Sequence, residues 1–268
     1  MTYPIAMIPY TNMAPYRELG PPAGCCFETY VPRESIEALV RGRVLAAAVP
    51  VGGLAAVAHI TEPIGWYGIG ARERSMSVLF FSDRPFAEMN AAASIRVTDE
   101  SASSVRLLCL LLGYRNGFDH MPRIAAPDER ASGELLIGDA ALLRMEELKR
   151  AGPDRKQDLH VTDLATEWFA AKSLPFVFAR WVIRKDAPAA ARTALGGWLA
   201  DFRSREPELV RRAAPAAADR LGVSRDQILD YFQVIRRSLD ESDLAGQKKF
   251  LEALKTYPVE GSLFSRPN

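Results

Sequence analysis

Hydroxyls, carboxamides and acids placed where strands give way to helices are the residues of this chain best suited to chemistry. Tyr10-Thr11-Asn12-Met13-Ala14-Pro15 follows directly on a predicted strand at 5–9. A short polar residue at such a junction has two uses. It caps the helix by accepting a free backbone N–H, or it turns into a cleft, where the Asn12 amide donates to a ligand hydroxyl or carboxylate. Asp99-Glu100-Ser101-Ala102-Ser103-Ser104 opens a strongly apolar helix, and two readings stand here as well. Ser101 or Asp99 caps the helix, or its exposed N–H groups and positive dipole end hold an anion, with Ser103 and Ser104 adding donors. Ser77, in Arg74-Ser75-Met76-Ser77, brings a hydroxyl to the start of a strand near the expected hinge. Gly138-Asp139 brings a carboxylate to a strand end, a place that suits a cap as well as a binding group. His59, His120 and His160 have no metal-ligand spacing, and no Ser-His-Asp signature, G-x-S-x-G, phosphate loop or G-x-G-x-x-G is present. The chemistry on offer is the binding of a small anion, without metal or cofactor.

The elements that must position these residues alternate. Strands are predicted at 5–9, 26–31, 44–49, 64–69, 77–81, 94–97, 134–137 and 176–183. The helix at 32–42 carries Ile36, Leu39 and Val40 on one face and Gly42 as its stop, so 26–49 reads as strand, helix, parallel strand. A second helix spans 105–112 with Gly113 as its stop, and a third begins at Ala140. From about Pro188 the pattern is helical almost to the end. Two β-rich blocks followed by a helical tail predict an α/β fold of two lobes, each with a small sheet. The expected division is 1–85 plus 184–268 for lobe one and 86–183 for lobe two. The chain crosses near 81–86 and returns near 181–185, the tail packs on lobe one, and the ligand sits between strand ends.

Composition narrows the function. The 268 residues are 48% apolar and 25% charged, as in an ordinary globular protein. Thirty-four basic residues against 33 acidic ones leave a net charge of +1, which argues against nucleic acid as a partner. No apolar run approaches the roughly 18 residues of a membrane span. The N-terminus lacks a basic n-region and a long apolar h-region, so a cytoplasmic location is expected. Cys25, Cys26 and Cys109, an odd number with two adjacent, are expected to be free thiols.

At the same segments the chain resembles the menaquinone-biosynthesis family of the futalosine route, in its chorismate dehydratase branch. The matches are Tyr10-Thr11-Asn12-Met13-Ala14-Pro15, Arg74-Ser75-Met76-Ser77-Val78-Leu79-Phe80-Phe81-Ser82, the stretch 101–112 and Leu135-Leu136-Ile137-Gly138-Asp139-Ala140-Ala141-Leu142. Asp163-Leu164, Glu167-Trp168, Leu174-Pro175-Phe176-Val177-Phe178-Ala179-Arg180-Trp181 and the helices around Tyr231 and Phe250 also fit. The resemblance implies a two-lobed fold of the type II periplasmic-binding-protein kind without a transport role. It further implies a hydro-lyase that removes water from chorismate to give 3-[(1-carboxyvinyl)oxy]benzoate. A sister branch carries a catalytic histidine where this chain has Gly138-Asp139, and that departure points to the dehydratase.

The resemblance places Asn12 at the reacting centre as the catalytic residue, with Ser77, Ser103 and Ser104 on the substrate carboxylates and Thr11 and Asp139 beside them. Elimination creates an aromatic ring, so the site need only fix geometry, exclude water and stabilise the leaving hydroxyl. No protein base stands out, and a carboxylate of the substrate itself is a candidate. Three places depart from the family: Leu45 stands for an Asp, Lys172-Ser173 stands for Thr-Gly, and Gly70-Ala71-Arg72-Glu73 is unusual. The alternative expectation is therefore a non-catalytic cytoplasmic binding protein or divergent paralogue for another small carboxylate. A monomer or homodimer is expected.

Overall fold

Strands that are apolar at every position must be covered on both faces, and this chain builds two sheets that way. The computed structural model describes residues 2–90, 93–98, 100, 102–117, 123–126, 128–151 and 159–256. The first sheet is formed by β1 (Tyr3–Met7), β2 (Cys25–Thr29), β3 (Ala46–Pro50), β4 (Thr61–Ala71), β10 (Phe176–Arg184) and β11 (Ile235–Ser238), in the order β11-β4-β10-β3-β1-β2. The second contains β5 (Val78–Ser82), β6 (Ser94–Arg96), β7 (Arg123–Ile124), β8 (Gly133–Ile137) and β9 (His160–Asp163), in the order β7-β6-β8-β5-β9. β1 runs parallel to both β2 and β3, so the expected strand-helix-strand unit exists with β1 inserted between its strands.

Alternation decides which helices cover which face. Ile5 and Met7 of β1, Ala46 and Ala48 of β3, and Ala179, Trp181 and Ile183 of β10 point into one core. That core is closed by α1 (Ala14–Leu19), α7 (Ala189–Leu221) and α8 (Arg225–Val234). Ala6, Ala47, Val49 and Val182 point the other way, onto Ala38 and Leu39 of α2 (Pro32–Val40) and Val57 of α3 (Leu54–Val57). In the second sheet Val78, Phe80, Leu135 and Ile137 meet α4 (Ala102–Asn116) and α6 (Leu164–Lys172). Leu79 and Phe81 meet Ala141 and Leu148 of α5 (Gly138–Arg150). Tyr16 stacks on Phe202 with ring centroids 3.8 Å apart and lies edge-on to Trp181, which fixes α1 against α7.

Four expectations are corrected. β5 pairs with β8 and β9, and β10 pairs with β3 and β4. The chain therefore changes sheets at 72–77 and 173–175, and the division at 85/86 and 183/184 is one strand late at each crossing. Apolarity shows that a strand is buried without showing which sheet it joins. Gly113 does not stop α4, which continues to Asn116. The tail is interrupted by β11. It also does not pack on the first lobe alone: Phe250 and Ala253 of α9 (Glu241–Thr256) belong to the core of α4 and α6. Cys25, Cys26 and Cys109 are free, as expected. His120 lies outside the described residues. Among the described residues no helix is long and apolar enough to cross a membrane.

Candidate active site

The two sheets face each other across a cleft, open to solvent, walled by Ile8, Tyr10, Asn12, Ser77, Ser104 and Phe178, among others. Strand ends and helix beginnings make this wall. Pro32 begins α2, Ser104 lies in the first turn of α4 and Gly138 begins α5, and all three line the cleft. α2 opens on a proline, and the Arg33 and Gly138 N–H groups already donate to the Glu100 and Ser77 carbonyls, so what the helix starts offer is the positive end of each dipole, about half an elementary charge. Three of them at one cavity make it receptive to an anion, although no Lys or Arg is among the lining residues.

Asn12 sits in a 3-10 turn, Thr11–Met13, between β1 and α1. It caps neither element: the residues at the cap positions are Tyr10 and Met13, and neither makes a side-chain cap bond. Its carboxamide oxygen is buried without a hydrogen-bond partner. A buried amide oxygen left unpaired costs free energy, and in the wall of a cleft its natural partner is a donor on a ligand. The turn is held from behind by Arg237, whose Nε donates to the Asn12 carbonyl at 3.0 Å. Arg237 is 1% exposed and is balanced by Glu206 at 3.0 Å.

Ser77 and Ser104 are buried in the same wall. The Tyr231 hydroxyl donates to the Ser77 oxygen at 3.0 Å, which leaves the Ser77 hydrogen to donate elsewhere. Burial pushes the Tyr231 phenol well above its ordinary range, so it remains a donor.

The other expected residues are not in the lining and have protein partners. Ser103 accepts from the Gly52 N–H at 2.9 Å and donates to the Phe178 carbonyl at 3.1 Å, joining the lobes. Thr11 is buried, and its hydroxyl accepts from Arg220 at 2.6 Å. Asp139 accepts from the Thr11 N–H at 2.8 Å and pairs with Arg220 at 2.7 Å, so it ties the lobes together. The structure thus brings Asn12, Ser77 and Ser104 to one cavity and gives Thr11, Ser103 and Asp139 the role of struts behind it. Asp99 and Ser101, the alternative caps of α4, lie outside the described residues.

Sequence reasoning quoted Tyr10 and Asp163 within family-like stretches without giving them a role, and passed over Arg237. Tyr10 lines the cleft, packs its ring on Gly138 and donates its hydroxyl to Glu100. Its place directly after a strand was the available signal. Asp163 fixes the turn that carries Ser77; its position at a strand-to-helix junction and its place in a family-like stretch were the available signals.

Comparison with known proteins agrees with this architecture. Over 172 residues the chain is 39% identical to a chorismate dehydratase of Thermus thermophilus; the match covers 60% of this chain and 63% of that protein, less than two thirds of its length. The alkanesulfonate-binding protein SsuA of Xanthomonas axonopodis pv. citri superposes with a TM-score of 0.67 at 11% identity, over 97% of this chain and 94% of that one. A Candida albicans protein with the generic periplasmic-binding-protein fold gives 0.56 at 12% identity, over 98% and 92%. The two-lobed α/β architecture is therefore periplasmic-binding-protein-like. A family model described as menaquinone biosynthesis matches residues 3–256, which takes in both sheets and every helix described above. The chain belongs to the menaquinone-biosynthesis family.

Proposed function

We propose that this chain is a chorismate dehydratase, a hydro-lyase that converts chorismate to 3-[(1-carboxyvinyl)oxy]benzoate and water. The observation that carries the reading is the unpartnered Asn12 carboxamide oxygen, buried in a cleft that also presents Ser77 and Ser104. Chorismate brings a ring hydroxyl for Asn12 and two carboxylates for the serine hydroxyls and the positive helix ends. In the elimination the ring C–O bond and a neighbouring ring C–H bond break, and the ring becomes aromatic. The enolpyruvyl carboxylate of the substrate takes the proton, and the departing hydroxide takes it up as water. The Asn12 carboxamide oxygen accepts from the ring hydroxyl and orients it, its NH2 group donates to the hydroxyl oxygen as the C–O bond breaks, and the apolar residues Ile8, Ile69, Ile137 and Phe178 of the wall limit the water around the ring.

The departures from the family pattern lie outside this wall: none of Leu45, Gly70, Ala71, Arg72, Glu73, Lys172 and Ser173 is among the lining residues. The futalosine route to menaquinone supplies the context, and the work is done in the cytoplasm by a monomer or homodimer.

The test is incubation of the purified protein with chorismate, following the aromatic absorbance and mass of the product. Wild type is expected to turn over. Asn12→Ala, with unchanged circular dichroism, is expected to lose about 100-fold or more in kcat, the usual effect of removing one transition-state hydrogen bond. Chorismate bound tightly without turnover would instead identify a non-catalytic binding protein. Full turnover by Asn12→Ala would remove Asn12 from the mechanism.

A further inference from the structure

Ser77 is the last residue of the crossing at 72–77, and the backbone before it is unusual. Met76 has φ of 59°, in the left-handed region that residues with a Cβ avoid. One carboxylate holds it there. Asp163, at the end of β9, accepts four hydrogen bonds: Ser75 N–H at 2.8 Å, Met76 N–H at 2.7 Å, Ser75 hydroxyl at 3.0 Å and Ala165 N–H at 2.9 Å. The Ser75 oxygen in turn accepts from the Val78 N–H at 3.1 Å, so the clasp reaches into β5. Ser77 is thereby bracketed. Its backbone is set by the Ser75–Met76 turn, its carbonyl accepts from the Gly138 N–H at 2.7 Å, and its hydroxyl oxygen accepts from Tyr231.

We propose that Asp163 is a positioning residue: by clasping Ser75 and Met76 it holds the Ser77 hydroxyl toward a carboxylate of the bound substrate. Capping of α6 needs only one of the four bonds, the one from Ala165. The other three go to a segment 87 and 88 positions away in sequence. The proposal rests on the dehydratase reading for its ligand, and on the turn itself for its geometry.

The experiment compares wild type, Asp163→Asn, Met76→Gly and the double variant in two measurements. Hydrogen exchange of the Ser75 and Met76 amides reads the turn without substrate, and Asp163→Asn is expected to speed it at least about tenfold. With chorismate, Asp163→Asn is expected to raise KM about tenfold or more with kcat within about threefold, since Ser77 binds ground and transition states alike. Met76→Gly alone is expected to change KM by less than about twofold. In the double variant it recovers most of the lost KM, because glycine adopts the left-handed turn unaided. A role confined to folding would lower kcat at constant KM and would not respond to glycine at 76. Unchanged exchange in Asp163→Asn, or no recovery in the double variant, overturns the proposal. If Asp163→Asn does not fold, Met76→Val opposes the same turn with Asp163 intact, and an unchanged KM there overturns it too. Absence of turnover by wild type would sink the dehydratase reading, and the exchange measurement would then decide the role of Asp163.

Discussion

Gly138→Ala is the substitution whose cost the structure sets most directly. Gly138 turns the chain from β8 into α5 with φ of 56°. A Cβ there would lie 2.9 Å from Cγ and Cδ2 of the Tyr10 ring and 3.1 Å from Cδ1. Left-handed backbone costs a residue with a Cβ about 1–2 kcal/mol. The ring must also move, which separates the Tyr10 hydroxyl from Glu100, and a hydrogen bond to a charged group contributes about 1.5 kcal/mol. The sum is about 3 kcal/mol, or a fall of about 6–10 °C in Tm for a chain of this size. Urea and thermal unfolding of Gly138→Ala, Tyr10→Ala and the double variant separate the two parts. In the Tyr10→Ala background the ring is gone, and Gly138→Ala should cost only its backbone share, giving a coupling of about 1.5 kcal/mol. A cost below about 0.5 kcal/mol, or the same cost in both backgrounds, would show that Tyr10 does not rest on Gly138.

Two further outcomes are expected. Tyr231→Phe removes the donor that orients Ser77 and should raise KM for chorismate about 3–10-fold and lower stability by about 1 kcal/mol, checked by steady-state kinetics and urea unfolding; an unchanged KM would exclude Tyr231 from the site. Ser173, where the family pattern has glycine, ends α6 with φ of 54°; Ser173→Gly should therefore stabilise by about 0.5–1 kcal/mol, read as a Tm rise of about 1–4 °C with kinetics unchanged.

Local signals were legible where chemistry and period coincide. Asn12, Ser77 and Ser104 were singled out at element junctions, and the structure brings them to one wall; the buried strands were read from uninterrupted apolar runs. What escaped depends on partners distant in sequence. Ser75 and Asp163 are 88 positions apart, so nothing local shows that this carboxylate serves a turn. Arg237, within Ile235-Arg236-Arg237-Ser238, has the look of a surface arginine, yet it is buried against Glu206 and the Asn12 carbonyl. Those two arginines also hide β11, a four-residue edge strand set among helices. Ser103 and Asp139 were grouped with the binding residues because a strut and a ligand donor have the same composition and the same position on an element.

Helix α9 has a consequence for the order in which the protein can be made. Its Phe250 lies edge-on to both Trp168 and Phe176, and Gly246 lets it approach the Pro175 carbonyl, which a Cβ would meet at 2.0 Å. During synthesis, residues up to 172 leave the ribosome with the Trp168 face of the second sheet still uncovered. Pro175 and Phe176 cover part of it once they emerge, and the rest stays open until the stretch 241–256 has followed. Co-translational folding of that lobe is therefore gated by the last helix described, and a nascent chain halted before Glu241 would present an apolar face to chaperones.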